Sequence, residues 1–309
     1  MTFVMLLAGL ALLLLSGEFL VRGGVSLAGH FRLSPMVVGL TIISFGTSAP
    51  ELVISLDAAI EGHPAISLGN VIGSNISNLA LVLALTVIIS PFFVKRKEII
   101  DDMIIMTGAS ILLFIMLLDF KLSRFEGIIL VIMLAAYIYR SIRNDKREYR
   151  SSPTEKEYSL SLSVIIIVLS SLGLVAGASM LVKSASTIAT MLGVSERIIS
   201  VSIIAVGTSL PELATSMIAA FRKERGISIG NVVGSNIFNI LAILGITATV
   251  KPYQLNDPRF SVDMYWMIGI AVILIIMALP SRNPKLRRWN GIFLALIYLS
   301  YIYLVFFTS

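Results

Sequence analysis

The chain has no cysteine, only two histidines, and few charges: Lys, Arg, Asp and Glu together make up 14% of its 309 residues. Each shortage excludes something. Without cysteine there is no disulfide and no thiolate metal site. His30 and His63 both lie near predicted helix ends, so there is no histidine cluster for zinc or copper. A soluble domain carries about 25% charged residues. The deficit, set beside 57% hydrophobic residues and a mean hydropathy of +0.93, marks an integral membrane protein whose apolar runs are long enough to span as helices. The net charge of +6 could suggest a nucleic-acid partner, but the placement of the basic residues argues against one.

The apolar runs predict ten spans, over 2–22, 35–60, 66–90, 102–119, 124–142, 160–183, 195–221, 227–250, 262–280 and 289–307. The first has no basic n-region, so it reads as a span rather than a signal peptide. Loops after odd-numbered spans carry 18 of the 24 Lys and Arg residues; the other side carries 6. The positive-inside rule then places both termini outside, in a multi-pass cell-membrane protein. The basic clusters at 95–97 and 140–156 face the cytoplasm, chiefly as orientation signals, with lipid contact as a secondary role. The polar stretch 143–159 is the expected cytoplasmic linker. It separates a first unit, 1–142, from a second, 160–309.

What is present is a repeat. Residues 46–51 read Gly-Thr-Ser-Ala-Pro-Glu and 207–212 read Gly-Thr-Ser-Leu-Pro-Glu. Residues 69–78 (GNVIGSNISN) recur as 230–239 (GNVVGSNIFN). Every pair is 161 residues apart, and 44–78 agrees with 205–239 at 19 of 35 positions. Pro91 and Pro252 keep the same offset, so the repeat covers nearly the whole chain as two halves of five spans. Five is odd, so the halves cross the membrane in opposite directions. The expected fold is an all-α membrane protein: ten transmembrane helices in two inverted five-helix repeats, with helices 2 and 7 broken. Such architectures place substrate near the midplane, at discontinuous helices.

The motifs offer only oxygen, the ligand set of hard cations. Proline lacks an N–H and clashes with the carbonyl four residues back, so Pro50 and Pro211 are expected to free the carbonyls of Gly46 and Gly207. Thr47, Ser48, Thr208 and Ser209 add hydroxyls. Glu51 and Glu212 add full charge, and no Lys or Arg inside the spans is placed to pair with them. Buried carboxylates in a bilayer are expensive and usually mark an ion or substrate pathway. Ser74 and Asn78, like Ser235 and Asn239, are four apart and share a helix face. Gly69/Gly73 and Gly230/Gly234 form Gly-x-x-x-Gly pairs suited to close helix packing. Asn70, Asn75, Asn231 and Asn236 could be ligands or interhelical hydrogen-bond partners; they turn away from the Ser–Asn face, which favours the second. Asp57, near a helix end, reads as a solvated residue or an entrance ligand.

At these residues the chain resembles the cation/calcium antiporter superfamily, which includes sodium/calcium exchangers, and most of all its compact prokaryotic members. The two G-T-S-x-P-E and two G-N-x-x-G-S-N-x-x-N segments resemble that family's paired alpha repeats. The resemblance implies acidic metal ligands at Glu51 and Glu212, and carbonyl ligands from Thr47 and Thr208 with Ser44 and Ala205 one turn earlier. It implies side-chain oxygens from Ser48, Ser74, Ser209 and Ser235, with Asn78 and Asn239 completing the centre. It further implies that one Ca²⁺ or about three Na⁺ occupy overlapping sites, and that spans 1 and 6 slide across a rigid core. Some relatives have aspartate at position 239. Asn239 leaves a formal site charge of −2, matching one Ca²⁺, and turns the reading away from a potassium-dependent exchanger.

The expected function is antiport of Na⁺ against Ca²⁺, with no resident cofactor and a monomer sufficient for the site. The alternative is a proton-coupled cation antiporter, because a desolvated glutamate can carry H⁺ in place of Na⁺. An intramembrane protease is disfavoured: both histidines lie near loops, and Asp57 is the only candidate membrane aspartate. A passive channel would not need paired broken helices.

Overall fold

The computed structural model describes residues 2–93, 96–148, 157–193, 205–255, 260–278 and 285–308. It is almost wholly helical. Among the described residues, eight helices are long and apolar enough to cross a membrane, or nine when the bent pair Pro35–Thr47 and Ala49–Ile60 counts as one. The helices are α1 (Thr2–Phe31), α2 (Pro35–Thr47), α3 (Ala49–Ile60), α4 (Pro64–Ile89), α5 (Arg96–Met116), α6 (Arg124–Glu148), α7 (Leu160–Met191), α8 (Leu210–Phe221), α9 (Arg225–Val250), α10 (Phe260–Ala278) and α11 (Arg288–Thr308). A short turn, Ala205–Gly207, precedes α8. The expected seventh span begins outside the described residues.

Several elements outrun their predicted ends. At 30 and 32 residues, α1 and α7 are each about 45 Å long at 1.5 Å per residue, well beyond a hydrocarbon core of about 30 Å. Arg22 and Lys183 mark where lipid-compatible sequence stops, but neither stops the helix. Arg22 stays on α1 by pairing with Glu18 one turn back, at 2.9 Å. Helix α6 likewise continues through 143–148 of the expected linker.

The chain divides into two compact units, Met1–Pro50 with Ile142–Asn231, and Glu51–Ser141 with Val232–Ser309. Each draws on both sequence halves. In the first, α1 and α7 touch backbone to backbone: a methyl on Gly177 would lie 2.8 Å from the Leu13 nitrogen and 2.9 Å from the Gly9 carbonyl oxygen. Only glycine permits that approach. Ser26 Oγ donates to the Tyr158 carbonyl at 3.1 Å, tying α1 to the start of α7. Arg222, just past α8, binds Glu18 through both Nε and Nη2, and Arg22 reaches Glu157 at 3.3 Å. Beside this cluster, burial pushes the Glu224 carboxyl above its ordinary range, and Arg222 pulls it partly back.

In the second unit, α11 packs on the end of α4, where a methyl on Gly291 would meet the Ala84 carbonyl at 2.6 Å. Two antiparallel two-residue ladders pair Phe92–Phe93 with Lys285–Leu286 and Lys121–Leu122 with Tyr253–Gln254. Each joins a segment of one half to a segment of the other. Asp102 and Asp263, related by the 161 offset, each accept a tyrosine hydroxyl from another helix, Tyr137 at 3.2 Å and Tyr301 at 3.1 Å.

The motif glycines behave differently in the two copies. A methyl on Gly230 would lie 2.7 Å from the Met36 carbonyl, whereas one on Gly73 meets nothing within 4 Å and one on Gly69 only Phe260, at 3.8 Å. Close packing therefore holds at Gly230. Gly230→Ala should destabilise the protein by about 1–3 kcal/mol, the usual cost of overpacking, while Gly73→Ala should leave the thermal midpoint in detergent nearly unchanged. Equal midpoints for the two variants would contradict this packing.

Candidate ion-binding site

Both copies of the first motif fold alike. Helix α2 begins with Ser34, whose side chain accepts from the Val37 N–H at 3.3 Å, followed by Pro35 in the first turn; both are favoured helix-start features. A π-turn, Gly39–Ile43, follows, then Ser44–Thr47, and the chain bends by 46° at Ser48. Ser48 has φ −88° and ψ 8°; its repeat partner Ser209 has φ −84° and ψ 2°. Both occupy the sparsely populated bridge region, where many active-site residues sit. Pro50 and Pro211 each fall in the first turn of the following half-helix, where a missing N–H costs least. Glu51 and Glu212 also fall in that turn. The positive end of the helix macrodipole favours negative charge there, which offsets part of the cost of burying a carboxylate.

In the first unit the two motif copies meet directly. Ser48 Oγ donates to Glu212 Oε1 at 3.0 Å, and Thr47 Oγ1 donates to Asn231 Oδ1 at 3.0 Å. Glu212 is wholly buried, as are Ser44 and Thr47; Ser48 and Ser209 are nearly so, and Thr208 is half-buried. Ser209 Oγ has no hydrogen-bond partner among the described residues. Ser44 Oγ donates to the Gly39 carbonyl at 2.6 Å and the Asn231 carbonyl at 3.1 Å, while the Ser44 carbonyl accepts from the Ser48 N–H at 2.9 Å and Thr47 Oγ1 at 3.3 Å. Ala205 opens the turn before Thr208.

The second unit holds Glu51, Ser74, Asn78, Ser235 and Asn239, all buried. Asn78 and Asn239 each open a π-turn, Asn78–Val82 and Asn239–Leu244. Such wide turns recur at functional sites, and nothing in the composition announces them. Both amide atoms of Asn78, and Oδ1 of Asn239, lack hydrogen-bond partners among the described residues. An uncompensated buried polar group costs about 1–3 kcal/mol, so the two unpartnered oxygens, Asn78 Oδ1 and Asn239 Oδ1, suit a bound cation better than a finished core.

Asn70 and Asn231 tie helices together, whereas the Asn236 side chain, expected to do the same, donates to Val232 on its own helix. Asn70 Nδ2 donates to Ser55 Oγ at 2.9 Å and the Glu51 carbonyl at 3.3 Å; its repeat partner Asn231 donates to Ser216 Oγ at 2.9 Å and the Glu212 carbonyl at 3.4 Å. Each clamps the turn that carries a glutamate. Asp57 is exposed near the end of α3.

A multi-pass helical protein that buries two carboxylates at half-helix N-termini, among serine, threonine and asparagine oxygens, is organised as a cation transporter. The chain belongs to the sodium/calcium exchanger protein family, whose model matches residues 1–143 and 162–307. It is 35% identical to the putative antiporter CaxA of Alkalimonas amylolytica over 314 residues, 98% of each chain. It is 28% identical to the sodium/calcium exchanger MaX1 of Methanosarcina acetivorans over 352 residues, covering 99% of this chain and 98% of that one. Its fold matches the solved sodium-calcium exchanger NCX_Mj with a TM-score of 0.85, at 31% identity and 98% coverage of both chains. This is an antiporter-family membrane protein of the compact prokaryotic kind.

Proposed function

We propose that this chain is a secondary active antiporter that exchanges Na⁺ for Ca²⁺ by alternating access at a single midplane site. The observation that carries the reading is the contact of the two motif copies, Ser48 Oγ on Glu212 Oε1. Glu51 and Glu212 are the acidic ligands. Ser48, Ser74, Ser209, Ser235, Asn78 and Asn239 supply side-chain oxygens, and the backbone of Ser44, Thr47, Ala205 and Thr208 supplies carbonyls. Both ions want the same carboxylates, so one expels the other, and the inward sodium gradient drives calcium outward.

The proposal includes ten spans in two inverted repeats, 1–142 and 160–309, joined by 143–159, with both termini outside the cell and a monomer as the working unit. Sodium is favoured as the coupling ion because an exchanger named for sodium and calcium aligns over nearly the whole chain. The test is ⁴⁵Ca²⁺ uptake into proteoliposomes loaded with Na⁺, with K⁺-loaded and acid-loaded controls. Uptake is expected only with internal Na⁺. Uptake driven by the proton gradient and indifferent to Na⁺ would transfer the coupling to H⁺, and uptake without any counter-ion would indicate a channel.

A further inference from the structure

Asn239 and its repeat partner Asn78 are not held alike, and the difference starts at a backbone carbonyl. Asn75 Nδ2 lies 3.4 Å from the Asn236 carbonyl oxygen and 3.5 Å from Met267 Sδ. Neither atom can donate, so only the amide NH₂ of Asn75 satisfies that side. Its Oδ1 must then point the other way, where it accepts from Asn239 Nδ2 at 3.0 Å. That contact leaves Asn239 Oδ1 as the atom without a protein partner among the described residues. Turning the Asn239 amide over would set oxygen against oxygen. Turning Asn75 over as well would set its oxygen against the Asn236 carbonyl. Both side chains are wholly buried, so water cannot repair either mismatch. The equivalent residue in the other half does not repeat this: Asn236 Nδ2 donates to Val232, one turn back on its own helix, at 2.7 Å.

We infer that Asn75 is a positioning residue that fixes the Asn239 amide with its oxygen, not its nitrogen, presented to the transported cation. The inference rests on the proposed role of Asn239 as a ligand. An amide nitrogen facing a cation would repel it, so the relay from the Asn236 carbonyl through Asn75 to Asn239 converts a symmetric-looking amide into an obligate acceptor. It also makes a neutral donor-bearing side chain the best fit at 239, because a carboxylate there would bring oxygen against Asn75 Oδ1.

The test compares Asn75→Thr with Asn75→Val, measured by ⁴⁵Ca²⁺ uptake into Na⁺-loaded proteoliposomes. The two replacements match in size, so packing losses are shared. Only threonine has a hydroxyl that can donate to the Asn236 carbonyl and accept from Asn239. The valine variant should raise KM for Ca²⁺ by about tenfold, with kcat within about threefold of wild type, and the threonine variant should recover most of the loss. If valine does not yield monodisperse protein, Asn75→Leu fills the space more fully and takes its place against threonine. Equal KM values for the hydroxyl-bearing and apolar variants would overturn the relay. Asn239→Leu separates the underlying reading: an unchanged KM there removes Asn239 from the ligands, whereas a raised KM beside equal Asn75 variants removes only the relay.

Discussion

Glu51→Gln and Glu212→Gln should each abolish calcium uptake, by at least a hundredfold, while leaving the protein folded and extractable. Glutamine keeps the size and hydrogen-bonding reach of glutamate; Ser48 Oγ could still donate to an amide oxygen at position 212. What is lost is charge. Two unit charges about 4 Å apart interact by about 4 kcal/mol at an effective dielectric near 20, and a divalent ion doubles that term. Each 1.4 kcal/mol or so is a factor of ten in binding, so either substitution should remove measurable Ca²⁺ transport. Gel filtration checks the fold and ⁴⁵Ca²⁺ uptake the function. Undiminished transport by either variant would take that residue out of the site.

Asn239→Asp should change ion preference rather than folding. With asparagine at 78 and 239, the proposed site carries −2 and one Ca²⁺ neutralises it. A third carboxylate makes −3, which three Na⁺ neutralise and one Ca²⁺ does not. Inhibition of ⁴⁵Ca²⁺ uptake by external Na⁺ should therefore set in at roughly tenfold lower concentration, the effect of about 1.4 kcal/mol. The variant should still run as a monodisperse species, because aspartate matches asparagine in shape, but with a lowered thermal midpoint, because one carboxylate oxygen then faces Asn75 Oδ1. Loss of expression would make Asn239 a packing residue; an unchanged inhibition curve would show that the charge at 239 does not set the competition.

The carboxylates were legible in the sequence because a charged residue in a long apolar run has few structural excuses. The repeat made the second one legible from the first. Asn70 and Asn231 were legible as helix ties because they lie off the Ser–Asn face, and each donates to a serine on a neighbouring helix at 2.9 Å. Other features left no trace. A π-turn needs only one extra residue in a turn, with no preferred composition, so those opening at Gly39, Asn78 and Asn239 could not be read. The reach of α1 past Arg22 was hidden because its charge is absorbed by Glu18, which also binds Arg222 two hundred residues away. The break in the second span is legible from Pro50, but its place is not: each proline sits in the first turn of a half-helix, and the irregular residue is the serine two positions earlier, Ser48 or Ser209.

The unequal support of the two π-turn asparagines gives the repeat a handedness of stiffness. Duplication supplied two matching amides, but only the one at 239 is braced by a neighbour; the amide at 78 has no such brace among the described residues. In the proposed site, a cation held between one braced and one unbraced oxygen would meet a gauge on one side and a cushion on the other. The rigid side can discriminate by size, while the compliant side follows the ion as its coordination shell is exchanged. A perfectly symmetric pair would have to choose between those two properties.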